Sequence, residues 1–347
     1  MLHPKRAVLS QRIDLLHRTN LVRLLFCGTP QFAVPTLKHF LAQPDLRILA
    51  VITQPDRPSG RGQEVSFSPV KQIALAANLP VYQPEKIRTP DVQQLLTSYS
   101  PDAIVIIAYG QIIPARLLPI PRHGWINLHA SLLPKYRGAA PINWAIVNGE
   151  TKTGITTMRI DAGMDTGEIL LQREIVIGPN ETAPDLTARL SELGAPLMAE
   201  TLRGLAAGTI VPQLQNHSAA TLAPILKREN GRIDWNRPAH EIFNRMRGFA
   251  PWPGAYTTFR NQTCHLWGEP VSKERKPASE ELKPGSQGIK DVPPGTLLLE
   301  KDRLHVVCGH ATVLRLSGVK LEGRKQVSAS EFANGARLRT GERFGNT

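Results

Sequence analysis

The chain has 347 residues, 41% hydrophobic and 20% charged, which is the balance of a soluble globular protein long enough for two domains. No apolar run approaches the ~20 residues that a membrane span needs. Three scattered cysteines, Cys27, Cys264 and Cys308, draw neither a disulfide framework nor a CxxC metal site and fit a reducing compartment.

Lys and Arg exceed Asp and Glu by 13, unevenly: +3 over residues 1–20, +2 over 21–226 and +8 over 227–347. A field of that sign over the last third favours polyanions and points to a nucleic-acid partner. A merely basic, hydrated surface would carry the same charge.

Residues 1–20 are Arg-containing and nearly free of acids, the texture of a transit segment or of an N-terminal extension outside the fold. From Leu21 the chain alternates in α/β fashion. Apolar runs at Leu21–Cys27, Ile48–Ile52, Ala103–Ala108 and Trp125–Leu128 predict strands separated by helix-length segments, with helices at Pro35–Ala42 and Asp185–Ala206. The expected product is a parallel or mixed twisted sheet covered by helices, whose ligands sit beyond the carboxyl ends of the strands. Residues 208–226 are poor in charge and period and read as a linker. Beyond them, after an amphipathic stretch at Ala239–Arg247, come short runs at Ala255–Phe259, Thr296–Leu299, Leu304–Cys308 and Ala311–Val319. Such strands parted by turn residues suggest a small barrel, with Val271–Gly295 as a mobile loop.

The densest polar constellation runs from Asn127 through His129, Ser131 and Pro134 to Arg137-Gly138. If Trp125–Ala130 is a strand, Asn127 and His129 project from one face. A carboxamide that can donate to an oxyanion then stands beside an imidazole that can move a proton near neutral pH, a pairing suited to acyl transfer. A structural histidine at a strand end is the plainer alternative. Asp165, between Gly163 and Gly167, is the candidate carboxylate to orient His129, although Asp-Ala-Gly and Asp-Thr-Gly are also ordinary turn sequences. Gly28-Thr29-Pro30 follows the first strand, yet GxGxxG and GxxxxGK[ST] are both absent, so no nicotinamide, flavin or ATP site is indicated. A long basic loop, Gln54 to Pro69, follows the second strand, where such loops are often functional.

These segments resemble one family, the formyltransferases that use 10-formyltetrahydrofolate. The likeness rests on Gly28-Thr29-Pro30 with Phe32-Ala-Val-Pro35, Thr53 to Gly62, Ala108-Tyr-Gly110, Asn127-Leu-His129-Ala-Ser131-Leu-Leu-Pro134 and Met164-Asp165-Thr166-Gly167. It continues through Lys227 to Trp235 and Arg247 to Gly254. The resemblance implies an α/β fold with a Rossmann-like N-terminal formyltransferase domain over 21–207, a linker over 208–226, and a smaller C-terminal OB-like β-barrel over 227–347 that binds tRNA. It implies Asn127, His129 and Asp165 as catalytic residues and Ser131, Leu132, Leu133 and Pro134 as the lining of the folate pocket. Arg61, Arg57, Arg137, Lys227 and Arg247 are the expected tRNA contacts. The donor would be 10-formyltetrahydrofolate, with no metal, because its formyl amide is already activated. The Gly60-Arg61-Gly62 loop and the basic second domain resemble the branch that formylates initiator methionyl-tRNA, expected to act as a cytoplasmic monomer. Sugar-nucleotide formylation with the same donor is the alternative, and it would need no basic second domain.

Overall fold

The computed structural model describes residues 21–59, 64–271, 289–300, 303–339 and 341–345. The expectations for residues 1–20, for Arg61 and for most of the Val271–Gly295 loop lie outside the described residues. The chain divides into two compact units. One takes the residues up to 141 together with 152–176 and 186–224; the other takes 142–151, 177–185 and everything from 225 onward.

In the first unit the apolar runs become strands β1 (Val22–Gly28), β2 (Leu46–Ile52), β6 (Ala103–Ile107) and β7 (Trp125–His129). A short hairpin of β3 (Arg57–Ser59) and β4 (Glu64–Ser66) stands apart from the main sheet. That sheet is completed by β5 (Val81–Tyr82), β8 (Lys152–Arg159) and β9 (Ile169–Val176). Its order is β5-β2-β1-β6-β7-β8-β9, parallel from β5 to β7 and antiparallel at β8 and β9. All five residues of β6 are buried, as expected of a parallel strand covered on both faces, and this is why its sequence reads as an uninterrupted apolar run. The direction of winding reverses between β1 and β6, so the crevice of this α/β sheet lies beyond the carboxyl ends of those strands and of β7.

The long helix Ala183–Ala207 comes close to the sheet at Gly194. A Cβ there would stand 2.6 Å from Leu128 Cδ2 and 2.7 Å from Ile155 Cδ1, so only glycine permits that approach. The loops after β1, β2 and β6 are fastened by hydroxyls and amides. Thr53 Oγ1 lies 2.9 Å from Ser68 Oγ and 3.4 Å from Thr29 Oγ1, and Gln54 Nε2 donates to the Tyr109 carbonyl at 3.0 Å.

The second unit carries an antiparallel sheet of β10 (Tyr256–Phe259), β11 (Gln262–Pro270), β12 (Leu297–Glu300), β13 (Arg303–Cys308) and β14 (Thr312–Leu321), with β15 (Val327–Ser328) on β14. The path is β10-β11-β14-β13-β12. Its core includes Trp235 stacked on Phe344 at 5.6 Å, with Phe332 stacked on the same Phe344 and Phe259 edge-on to both phenylalanines. Helix Ala239–Gly248 accounts for the membership of residues 142–151 and 177–185. Asn143 Nδ2 donates to the Gly248 carbonyl at 2.8 Å, Trp144 packs edge-on against Phe249, and Arg247 Nη1 donates to the carbonyls of Gly178 and Glu181.

Candidate active site

β7 places Asn127 and His129 on one face at its carboxyl end, and the chain then turns sharply through Ser131–Pro134. The turn is sewn down by Thr156, which pairs with His129 across the β7–β8 ladder. Its hydroxyl donates to the Ser131 carbonyl at 2.6 Å and accepts from Leu133 N at 3.2 Å. Ser131 Oγ donates to the Lys135 carbonyl at 2.6 Å, and Leu133 is buried with Met158 and Ile169. The four residues expected to line the folate pocket differ in exposure. Ser131 and Leu133 face the protein and hold the turn, while Leu132 and Pro134 keep partial exposure.

His129 is 6% exposed. Its Nε2 lies 2.9 Å from the Tyr136 carbonyl, which can only accept, so Nε2 carries the proton and the neutral ring presents the Nδ1 lone pair. That nitrogen faces Asp165 Oδ2 at 3.6 Å. Two acceptors therefore face each other across a gap that a single proton would bridge. Asp165 lies in the loop between β8 and β9 at φ +52°, a left-handed conformation that aspartate tolerates. Its Oδ2 also accepts from Gly138 N at 2.8 Å. Asn127 is partly exposed, and among the described residues no side-chain partner engages its carboxamide.

The expected tRNA contacts separate into two kinds. Arg57 is exposed, 3.8 Å from Glu85, and Lys227 is exposed near Glu229. Arg137 and Arg247 are buried, at 6% and 7% exposure. Arg137 donates through Nε and Nη2 to Gln215 Oε1 at 3.0 and 2.7 Å. Arg247 donates to two backbone carbonyls and to Asn244, and burial pushes its guanidinium below its usual range. Arg228, Arg232, Lys320, Arg324 and Lys325 are exposed, and among the described residues no carboxylate lies within 4.0 Å of them. Sequence position gave no reason to choose them over the buried pair.

Comparison with known proteins decides the family. The model for "Formyl transferase" matches residues 22–202, and the model for "Formyl transferase, C-terminal domain" matches residues 225–337. The chain belongs to the formyl transferase family. This formyl transferase is 52% identical over 325 residues to a methionyl-tRNA formyltransferase of Solibacter usitatus, covering 93% of this chain and 99% of the relative. The likeness to those of Acidobacterium capsulatum and Geobacter metallireducens is 50% and 48%, again over 93% of this chain and over 100% and 98% of theirs. Among solved structures, an N-formyltransferase from Helicobacter canadensis in complex with folinic acid and dTDP-3-aminofucose shares the fold. Its TM-score is 0.58 at 18% identity, over 85% of this chain and 99% of that one. HypX from Aquifex aeolicus with tetrahydrofolic acid does so at a TM-score of 0.57 and 14% identity, over 94% and 51%.

Proposed function

We propose that this formyl transferase moves the formyl group from N10 of 10-formyltetrahydrofolate to the α-amino group of methionine on initiator tRNA, with Asn127, His129 and Asp165 at the reacting centre. The observation that carries the chemistry is the facing pair of acceptors, His129 Nδ1 and Asp165 Oδ2, 3.6 Å apart, beside the unengaged carboxamide of Asn127. The neutral amine attacks the formyl carbon, and a new C–N bond forms as the carbonyl oxygen becomes an oxyanion. Asn127 Nδ2 donates to that oxygen. The attacking nitrogen releases one proton to the His129–Asp165 pair, which has a place for one between its acceptors. The bond from carbon to N10 then breaks, and N10 leaves with that proton as tetrahydrofolate.

Full-length likeness at 48–52% to methionyl-tRNA formyltransferases supports the acceptor. The fully exposed Ile112 and the exposed Met164, following β6 and next to Asp165, offer apolar surface for the flat heteroaromatic donor. The exposed cations of the second unit that have no carboxylate within 4.0 Å among the described residues suit phosphate contacts that are largely independent of sequence and weaken with salt.

The test is incubation of the purified protein with 10-formyltetrahydrofolate and methionyl-initiator tRNA, with methionyl-elongator tRNA alongside. Formyl-methionine on the initiator, equal to the tetrahydrofolate released, is the expected result. Folate turnover without formylated tRNA would assign a hydrolase or another amine acceptor, the sugar-nucleotide alternative included.

A further inference from the structure

Residues 203–224 fall between the two matched family models, in the stretch whose sequence reads as a linker. The structure ties that stretch to the reacting centre at several points. Gln213 pairs with Ile169 through two backbone hydrogen bonds of 2.8 Å. Gln215, 5% exposed, donates from Nε2 to the carbonyls of Asp165 and Gly167 at 2.9 and 2.7 Å. Its Oε1 accepts both N–H groups of the Arg137 fork. All four of its hydrogen-bonding positions are filled, which fixes the amide orientation. Further along, Thr221 Oγ1 accepts from Tyr136 N at 2.9 Å. The backbone of 221–223 exchanges hydrogen bonds with Arg137 on both sides, at 2.9 and 2.7 Å.

The segment it grips, Tyr136–Gly138, supplies the partners that orient both members of the proposed proton-transfer pair. The Tyr136 carbonyl fixes the His129 tautomer, and Gly138 N holds Asp165 Oδ2. Asp165 is thus held from two directions, by Gln215 at its backbone and by Gly138 at its carboxylate. We propose that the linking segment is part of the catalytic apparatus, with Gln215 and Thr221 as positioning residues that set the His129–Asp165 geometry. This rests on the assignment of His129 and Asp165 made above. Neither positioning residue touches the reacting atoms, so a displacement of about 1 Å is the means by which either one acts, and such shifts cost up to roughly 10²-fold in rate.

Gln215→Glu is the decisive variant. It keeps an acceptor for the Arg137 fork, so the buried guanidinium retains its partner and the fold its support. It loses both donors and sets a carboxylate oxygen against the carbonyls of Asp165 and Gly167. The full-length protein is assayed for kcat and for KM of both substrates, alongside Asp165→Asn and the double variant, with thermal midpoints for all. The expected result is a kcat lower by about 10- to 100-fold at little-changed KM, with a lowered midpoint because the Asp165 and Gly167 carbonyls lose their donors, and no further loss of kcat when Gln215→Glu is added to Asp165→Asn. A Gln215→Glu protein with kcat near the parent, while Asp165→Asn collapses, would overturn the positioning role and leave the catalytic assignment standing. Losses that multiply in the double variant would overturn it as well. Full activity in Asp165→Asn would sink the catalytic assignment and this inference with it. Should Gln215→Glu not fold, Thr221→Val removes only the hydroxyl at an exposed position. A several-fold fall in kcat supports the proposal, and an unchanged kcat refutes it.

Discussion

Replacing Thr156 by valine keeps the shape of the side chain and deletes one hydroxyl that is fully buried. That hydroxyl donates to the Ser131 carbonyl and accepts from Leu133 N and from Gln172 Nε2. Gln172 is exposed and keeps a second bond, to the Leu133 carbonyl at 2.9 Å, so its amide recovers. The Ser131 carbonyl and the Leu133 N–H do not recover, because the methyl that replaces the hydroxyl also excludes water. Each buried group left without a partner costs about 1–3 kcal/mol. Relief from burying a hydroxyl offsets part of that, which leaves about 3 kcal/mol. For a unit of roughly 150–250 residues, 1 kcal/mol moves the midpoint by about 2–4 °C, so Thr156→Val should melt about 6–12 °C below the parent. Thr97→Val is the comparison, because its hydroxyl is exposed and only back-bonds to the Gln93 carbonyl; it should stay within about 0.5 kcal/mol. Scanning calorimetry reads both. A Thr156→Val midpoint within about 2 °C of the parent would mean that the turn after His129 is not held by this hydroxyl.

Gly138 sits at φ +122°, and a Cβ there would meet the Ala223 carbonyl oxygen at 2.6 Å. Gly138→Ala should therefore lose at least ~10-fold in kcat through displacement of Asp165, whereas Gly208→Ala, at φ +69° in open space, should lose ~1 kcal/mol of stability and no kcat; steady-state assays with melting curves separate the two. The ammonium of Lys71, which bonds Asp56, holds that carboxyl below the usual carboxylate range. A depressed carboxylate contributes stability above its unfolded pKa of ~3.9 and loses it as pH falls through the folded value. Lys71→Met should hence be less stable than the parent in urea titrations at pH 7 and indistinguishable from it near pH 2. Burial pushes the Cys264 and Cys308 thiols up to about 12 and Cys27 higher still. No thiol should react with Ellman's reagent in the native protein at pH 8, and all three should react in guanidinium; a stoichiometric native reaction would contradict the burial.

The strands legible in the sequence were those with a continuous apolar signal. β1, β6 and β7 follow the runs at Leu21, Ala103 and Trp125 closely, because a strand buried on both faces must be apolar throughout. β9 and β11 were not legible. In β9 only Ile169 and Leu170 are buried, and β11 mixes Gln262, His265 and Glu269 into its run, as strands with one wet face do. Asn127 and His129 were placed on one face by the strand period alone. The approach of Asp165 depended on a loop path that no local pattern encodes. The burial of Arg137 and Arg247 was not legible for a related reason: a basic residue in sequence carries no mark of whether its guanidinium meets solvent or a buried acceptor.

The stretch 208–226 shows the limit of compositional reading most clearly. Few charges, no period and Gly208 at its start describe a tether, and most of its side chains are indeed exposed. A segment can be exposed along its length and still act at one or two inward positions. Gln215 and Ala223 are the inward ones here, and both bear on the 136–138 segment, Gln215 through Arg137 and Ala223 through its backbone. A single buried glutamine among polar neighbours leaves no periodic trace, since one residue has no period. The proposed reacting centre thus draws on three parts far apart in sequence. The end of β7 carries Asn127 and His129, the 160–167 loop carries Asp165, and the connecting segment hydrogen-bonds to the backbone of Asp165 and to Arg137 through Gln215.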